Sequence, residues 1–406
     1  MVELAHLKDL LNRMAQRFEE AEQAPDGAPD LRGWGQFLDA PKRHKQVGPY
    51  GTSAGIIVLA LAERGGSALM KRAVDLLRHW WMNRDQCDYA RKRITQTPRL
   101  AFFSLALRLS GIAEATNESD QVQNVLLERL LPSGMWGNFW VSDKICDSTP
   151  RGSTSAFVVL SLLLLRDTKS AIDSRITEAS DELEKQLIRS KDLSLKDTSA
   201  LCAAVLATKE TSISRKTFTR INRVATSEHS TIDEKAVYFY TYEHSPDKDG
   251  QTRYDNGYFL VPTDILLGIA GFLPGAPTAL RLRAEAAVNS LVENLSKNNG
   301  AYRPDNEQRV CTMDQAWAAI LIKIASLEYK TPSISAKIWY EVRRRRSGNW
   351  FTNVGLPLLA LVVATITNIL VIDTGLIEKL ITQVVALIIG GMYGQKVFQR
   401  LIRGIE

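Results

Sequence analysis

The chain has 406 residues, 45% hydrophobic and 24% charged, a balance that excludes collagen-like, disulfide-scaffold and wholly disordered classes. Four cysteines, none in a C-x-x-C pair, point to a reducing compartment rather than an oxidised framework or a zinc ribbon. The formal net charge is +6, but seven basic residues flanking one C-terminal apolar region supply that excess, which argues against a nucleic-acid partner.

In chain order, Met1 to Glu20 is a charged amphipathic stretch, not a signal peptide. Six apolar runs follow: GTSAGIIVLALA from Gly51, TPRLAFFSLALRL from Thr97, STSAFVVLSLLLL from Ser153, DTSALCAAVLAT from Asp197, PTDILLGIAGFL from Pro262 and TMDQAWAAILIKIA from Thr312. Their starts lie 44 to 65 residues apart, which predicts an array of repeated helix pairs. Each run is apolar nearly all round, as a helix buried on every side requires. Each start carries Ser, Thr or Asp, or a Pro, as helix N-termini prefer. Amphipathic helices are predicted between them, at Leu69–Met82, Asp120–Leu131, Ile172–Ser190, Pro277–Leu295 and Ser333–Arg343. The segment EKAVYFYTY, from Glu234, reads equally as a short extra helix or an edge strand.

The predicted fold of residues 1–345 is therefore all-α, an (α/α)6 toroid of helical hairpins with the apolar helices inside. An open solenoid is the alternative. Loops rich in Gly and aromatics lead into the inner helices: GWGQF at Gly33, SGMWGNFWVSD at Ser133, YDNGYF at Tyr254 and NGAYRPD at Asn299. SGMWGNFW followed by STSAFVVLSLL, and NGAYRPD followed by TMDQAWAAILIKIA, resemble repeats of the terpenoid-cyclase and protein-prenyltransferase toroid superfamily over about residues 30–330. The resemblance implies the toroid. It does not extend to activity, because the D-x-D-D run of the cyclases and the Asp, Cys and His zinc ligands of the prenyltransferases are missing.

In a toroid, six inner-helix N-termini face one mouth and favour an anion there. Arg99, Arg151 and Arg303 add charge, and Trp136, Trp140, Tyr254 and Tyr302 offer rings for stacking. These seven residues form the expected ligand site, for an anionic small molecule or a partner protein. The five histidines are scattered, so no metal, cofactor or catalytic residue is assigned.

Residues 346–406 form the second predicted domain. Val354 to Ile372 is nineteen residues without a charge, long enough to span a bilayer, and a second span is predicted over about 377–396. Arg343, Arg344, Arg345 and Arg346 precede the first span, and Lys396, Arg400 and Arg403 close the second. This pattern places both flanks in the cytoplasm, against a bacterial inner membrane, and the Arg run also suits anionic lipid. Gln383, Gly390 and Gly394 share one helix face, and Asn368 offers a polar group on the other span. Small and polar residues of this kind favour self-association into a homo-oligomer.

Two functions fit. The first is a membrane effector or receptor whose toroid senses a ligand or partner and whose hairpin oligomerises to perturb or signal through the membrane. Its layout resembles bacterial anti-phage effectors. The second is a membrane-tethered isoprenoid- or lipid-processing enzyme, which needs an open cavity along the toroid axis.

Overall fold

The computed structural model describes residues 3–25, 27–39, 47–83, 96–138, 140–142, 145–146, 148–166, 173–189, 195–209, 213–226, 235–243, 254–304 and 310–330. The chain divides into two compact units, Met1–Leu327 and Glu328–Glu406. Both predicted membrane spans, and the helix predicted at Ser333–Arg343, lie outside the described residues. No helix among the described residues is long and apolar enough to cross a membrane.

Six inner helices carry the apolar runs: α2 (Pro49–Leu61), α4 (Thr97–Leu109), α6 (Gly152–Leu163), α8 (Leu195–Lys209), α10 (Thr263–Phe272) and α12 (Thr312–Lys330). Each is preceded by an outer helix: α1 (Leu4–Glu20), α3 (Ala68–Met82), α5 (Ala113–Glu128), α7 (Ser174–Arg189), α9 (Arg215–Ala225) and α11 (Thr278–Lys297). The charged N-terminal stretch is thus the outer helix of the first pair. Along α1, Leu7, Leu10, Leu11, Met14, Ala15 and Phe18 recur at helical spacing and are buried, while the charges face out. The inner helices have no such polar face. Ala101 to Leu107 of α4 and Ala156 to Leu160 of α6 are buried without a break.

The ring closes. Inner helices pack in the order α2, α4, α6, α8, α10. Leu321 of α12 abuts Gly268 of α10, and Lys323 of α12 pairs with Glu63, just beyond α2, at 3.6 Å. On the outside, α11 packs on α1, and Arg17 donates to the carbonyls of Asn299 and Asn298 at 2.8 and 3.1 Å. The architecture is an α/α toroid of six helix pairs, and the open solenoid is excluded.

The structure differs from the all-α expectation at two hairpins. Strands β1 (Trp140–Ser142) and β2 (Ile145–Cys146) pair antiparallel in the loop entering α6. Strands β3 (Lys235–Glu243) and β4 (Tyr254–Pro262) pair over nine residues each, from Lys235↔Pro262 to Glu243↔Tyr254. Of EKAVYFYTY, Lys235 to Tyr242 are therefore strand, and YDNGYF is strand rather than loop. Six of the nine residues of β3 and four of the nine of β4 are β-branched or aromatic, which suits a pleated ladder better than a helix. β4 runs directly into α10, and β3 runs beside α8 and α6.

Candidate functional site: the mouth and axis of the helical ring

The aromatic loops are staples. The Trp34 N–H donates to Thr52 Oγ1 at 3.3 Å, the Trp136 N–H to Ser155 Oγ at 2.9 Å, and the Tyr302 N–H to Gln315 Oε1 at 2.8 Å. Thr52, Ser155 and Gln315 each stand fourth in their inner helix. One polar side chain in that register thus takes up an orphan donor of the incoming loop. The indole N–H then reaches back to the end of the preceding outer helix. Trp34 Nε1 donates to the Phe18 carbonyl and Trp136 Nε1 to the Leu126 carbonyl, both at 2.6 Å.

The loops also join neighbouring pairs. Thr97 opens α4 and donates its N–H to the Asn138 carbonyl, two residues after Trp136, at 3.0 Å. Thr312 opens α12 and donates its N–H to the Gln36 carbonyl, two residues after Trp34, also at 3.0 Å. The same bond joins adjacent pairs and joins the last pair to the first.

The axis is filled at one level. Phe102, Phe157 and Trp317 stand sixth in α4, α6 and α12, and all three are fully buried. Helices α6 and α12 are diametrically opposite in the ring order. Their side chains still meet: the Phe157 and Trp317 rings are edge-to-face with centroids 5.4 Å apart. Phe102 stacks on Trp317 at 6.1 Å and 24°, and contacts Phe157 at 6.1 Å. One turn toward the mouth, Tyr50 leans on Phe102 at 6.2 Å, and the Arg99 guanidinium lies over the Tyr50 ring, 4.7 Å from its centre.

The seven residues expected to bind ligand have different fates. Arg99 is at the mouth, on Tyr50. Arg151 is exposed at the start of α6, and its carbonyl accepts from Ser155 Oγ at 2.7 Å. Trp136 is wholly buried with its one N–H engaged, so it acts as a wedge between α5 and α6. Tyr302 is half-buried beside Gln315. Arg303 pairs with Asp39 at 3.3 Å, and Asp39 also accepts from the Val310 N–H at 2.8 Å. Trp140 lies in β1 opposite Cys146, and Tyr254 in β4 opposite Glu243. Gln383, Gly390, Gly394, Asn368 and Arg343 to Arg346 lie outside the described residues. Among the described residues, no group of three His, Cys, Asp or Glu is placed to hold a metal.

The far end of the ring is held by arginine. Arg108 donates through Nη2 to the carbonyls of Ser161 and Leu164, at 3.0 and 2.9 Å, capping the C-terminus of α6. Burial, with Arg166 adding repulsion, pushes its pKa down to about 10, so it stays charged at neutral pH.

The axial plate was not singled out in the sequence, yet its signal is there. The three aromatics hold one register, five residues after the helix start, in three of the six runs.

No family model matches the chain, and no curated protein matches it. Among solved structures it is similar to the GH76A alpha-1,6-mannanase from Salegentibacter sp. HEL1_6, at 12% identity and a TM-score of 0.48, covering 79% of this chain and 99% of that one. An inactive variant of that enzyme in complex with alpha-1,6-mannotriose matches at 11% identity with the same TM-score and coverage.

Proposed function

We propose that this chain is a membrane-anchored sensor or effector. The helical ring receives a ligand or partner on the cytoplasmic side. The C-terminal hairpin then self-associates through Gln383, Gly390, Gly394 and Asn368, and perturbs or signals through the bacterial inner membrane, in defence against phage. The Arg343–Arg346 run fixes the topology.

The contact of Phe157 with Trp317 carries the choice between the two functions. A polyprenyl chain needs a tunnel along the ring axis, and the aromatic plate occupies that axis at the level of the sixth inner-helix residue. A filled ring supports a receptor with a shallow mouth. The uncharged run Val354–Ile372 supports the membrane half of the reading.

Fractionation of bacteria expressing the chain tests the anchor. The full chain is expected in the membrane pellet after alkaline carbonate extraction, and a chain ending at Arg346 in the supernatant. Extraction of the full chain by carbonate would overturn the anchor.

A further inference from the structure

All the outer helices but one hold a cation against an acid. Asp9 pairs with Arg13 on α1 at 2.8 Å, Asp75 with Arg78 on α3 at 3.5 Å, Glu182 with Lys185 on α7 at 3.0 Å and Glu293 with Lys297 on α11 at 2.6 Å. On α5, Glu118 accepts from Arg78 at 2.8 Å. Helix α9 is the exception. From Ile213 to Thr226 the sequence holds Arg215, Lys216, Arg220 and Arg223 and no acid. Arg220 is engaged, donating through Nε to the Leu187 carbonyl at the end of α7 at 3.2 Å. Among the described residues, Arg215, Lys216 and Arg223 pair with no carboxylate, and all three are exposed.

The helices beside α9 do not balance this charge. Asp181 and Glu184 of α7 pair instead with Lys209 of α8, at 2.5 and 2.7 Å. Helix α11 brings one more cation. Arg283 stands 3.8 Å from Asp264 and donates through Nη1 to the carbonyls of Val224 and Ala225, at 3.4 and 3.3 Å, at the C-terminus of α9. Like charges one turn apart, as at Lys216 and Arg220, weaken a helix. Nothing described within the ring offsets that cost. Phe218 stands among the cations and is 40% exposed, although aromatics elsewhere in the ring are core. Arg215, Lys216, Phe218, Thr219 and Arg223 occupy the arc of α9 opposite the buried Thr217, Ile221 and Val224.

We propose that this face of α9 docks on an anionic membrane surface, with Arg215, Lys216 and Arg223 against lipid phosphates and Phe218 entering the headgroup boundary. A short basic helix with an exposed aromatic has the chemistry of an interfacial contact. The aromatic flank and the uncharged run Val354–Ile372 in the same chain favour lipid over nucleic acid. Each cation near an anionic leaflet strengthens the contact about fivefold. The inference rests on the membrane half of the proposed function and adds a second, charge-dependent attachment of the ring itself.

The test is amine modification of the full chain in lipid nanodiscs, made either of phosphatidylcholine alone or of equal parts phosphatidylcholine and phosphatidylglycerol. Mass analysis follows Lys216, with the exposed Lys71 of α3 and Lys297 of α11 as internal references. Lys216 is expected to react about fivefold more slowly in the anionic discs while the references change little, and molar salt is expected to abolish the difference. Arg215→Glu/Arg223→Glu, at two exposed positions, is expected to remove the protection. Equal reactivity of Lys216 in both discs, protection that survives the double substitution or salt, or protection by a single-stranded oligonucleotide but not by phosphatidylglycerol overturns the proposal. A chain that does not enter discs removes the anchor. Protection of Lys216 by anionic vesicles added to that chain would leave the surface standing, and its absence would overturn both.

Discussion

Phe157 and Trp317 come from opposite helices of a six-helix ring, and their rings touch edge-to-face at 5.4 Å. A ring of this size is open at its centre unless large side chains fill it, and here three aromatics do so in one plane. The contact reaches across the ring and holds it to a fixed diameter.

Truncating the plate is therefore costly. Phe157→Ala removes a fully buried ring that packs on Phe102 and Trp317, and about 3–5 kcal/mol of stability is expected to go with it. Urea unfolding measures this. A cost below about 1 kcal/mol would mean that the axis is already loose.

The Trp staples make a second prediction. Trp136→Phe leaves the Leu126 carbonyl without its indole donor in a buried place, at an expected cost of about 1–3 kcal/mol. Gly55→Ala is expected to cost a similar amount by a different route, since a methyl there overlaps the Trp34 ring from within α2. Thermal unfolding of both variants checks this. An unchanged midpoint in either would show that the loop adjusts and the staple is dispensable.

Much of this frame was legible in the sequence. Thr97 and Thr312 mark inner-helix starts to the residue, and Gly51, Ser153, Asp197 and Pro262 come within two positions. The reason is physical: a helix buried on every side has no charged face, so its run of apolar and small residues stands out. The sequence hid what depends on long-range pairing. That α1 packs on α11 and closes the ring is a contact between the two ends of the domain. Helix α9 offers only Thr217, Ile221 and Val224 to the core, too few for its period to stand out. The β3 sequence alternates weakly because aromatics occupy the consecutive positions 238, 239 and 240, which blurs the period of two. Trp136 illustrates the limit for sites. A Gly-flanked tryptophan in a loop serves equally as a stacking surface or a wedge, and only its burial and its bond to Leu126 decide.

Helix ends give a third prediction. Beyond α6, Leu165 holds a left-handed backbone at φ 56°, where Gly111 beyond α4 holds φ 70°. A bulky side chain in that region costs about 1–2 kcal/mol relative to glycine. Leu165→Gly is expected to raise stability by about 1 kcal/mol, seen as a later urea midpoint, whereas a loss of stability would mean that the Leu165 side chain contributes more by packing than its backbone costs.

Acid sensitivity should centre on Glu184. It accepts from Lys209 at 2.7 Å and from Thr217 Oγ1, joining α7, α8 and α9. Burial works to raise its pKa, but the bonds from Lys209 and Thr217 outweigh it, and the carboxyl titrates below its ordinary 4.5. A depressed carboxyl stabilises the fold above the unfolded value and loses that contribution as pH falls through the folded one. Stability is thus expected to drop below pH 4.5, and Glu184→Gln to flatten part of that drop. A pH series of unfolding midpoints with the same slope for both proteins would assign the acid sensitivity elsewhere.

Cys202, inside α8, is wholly buried, and burial pushes its thiol up to about 12. Because the thiolate is the reactive form, it is expected to resist a thiol reagent at pH 8 until the protein unfolds. Labelling followed by peptide mass analysis checks this. Modification of Cys202 in the native chain would show that α8 opens readily.

The central claim is that a sensing ring acts through its membrane hairpin. Membrane potential and growth of bacteria expressing the full chain, with and without phage, test it most directly, against Gly390→Leu/Gly394→Leu and a chain ending at Arg346. The account predicts depolarisation and arrested growth with the full chain, alone or on phage challenge, and no effect with either variant. Identical behaviour of all three would contradict it, and would make the hairpin a tether for whatever the mouth of the ring binds.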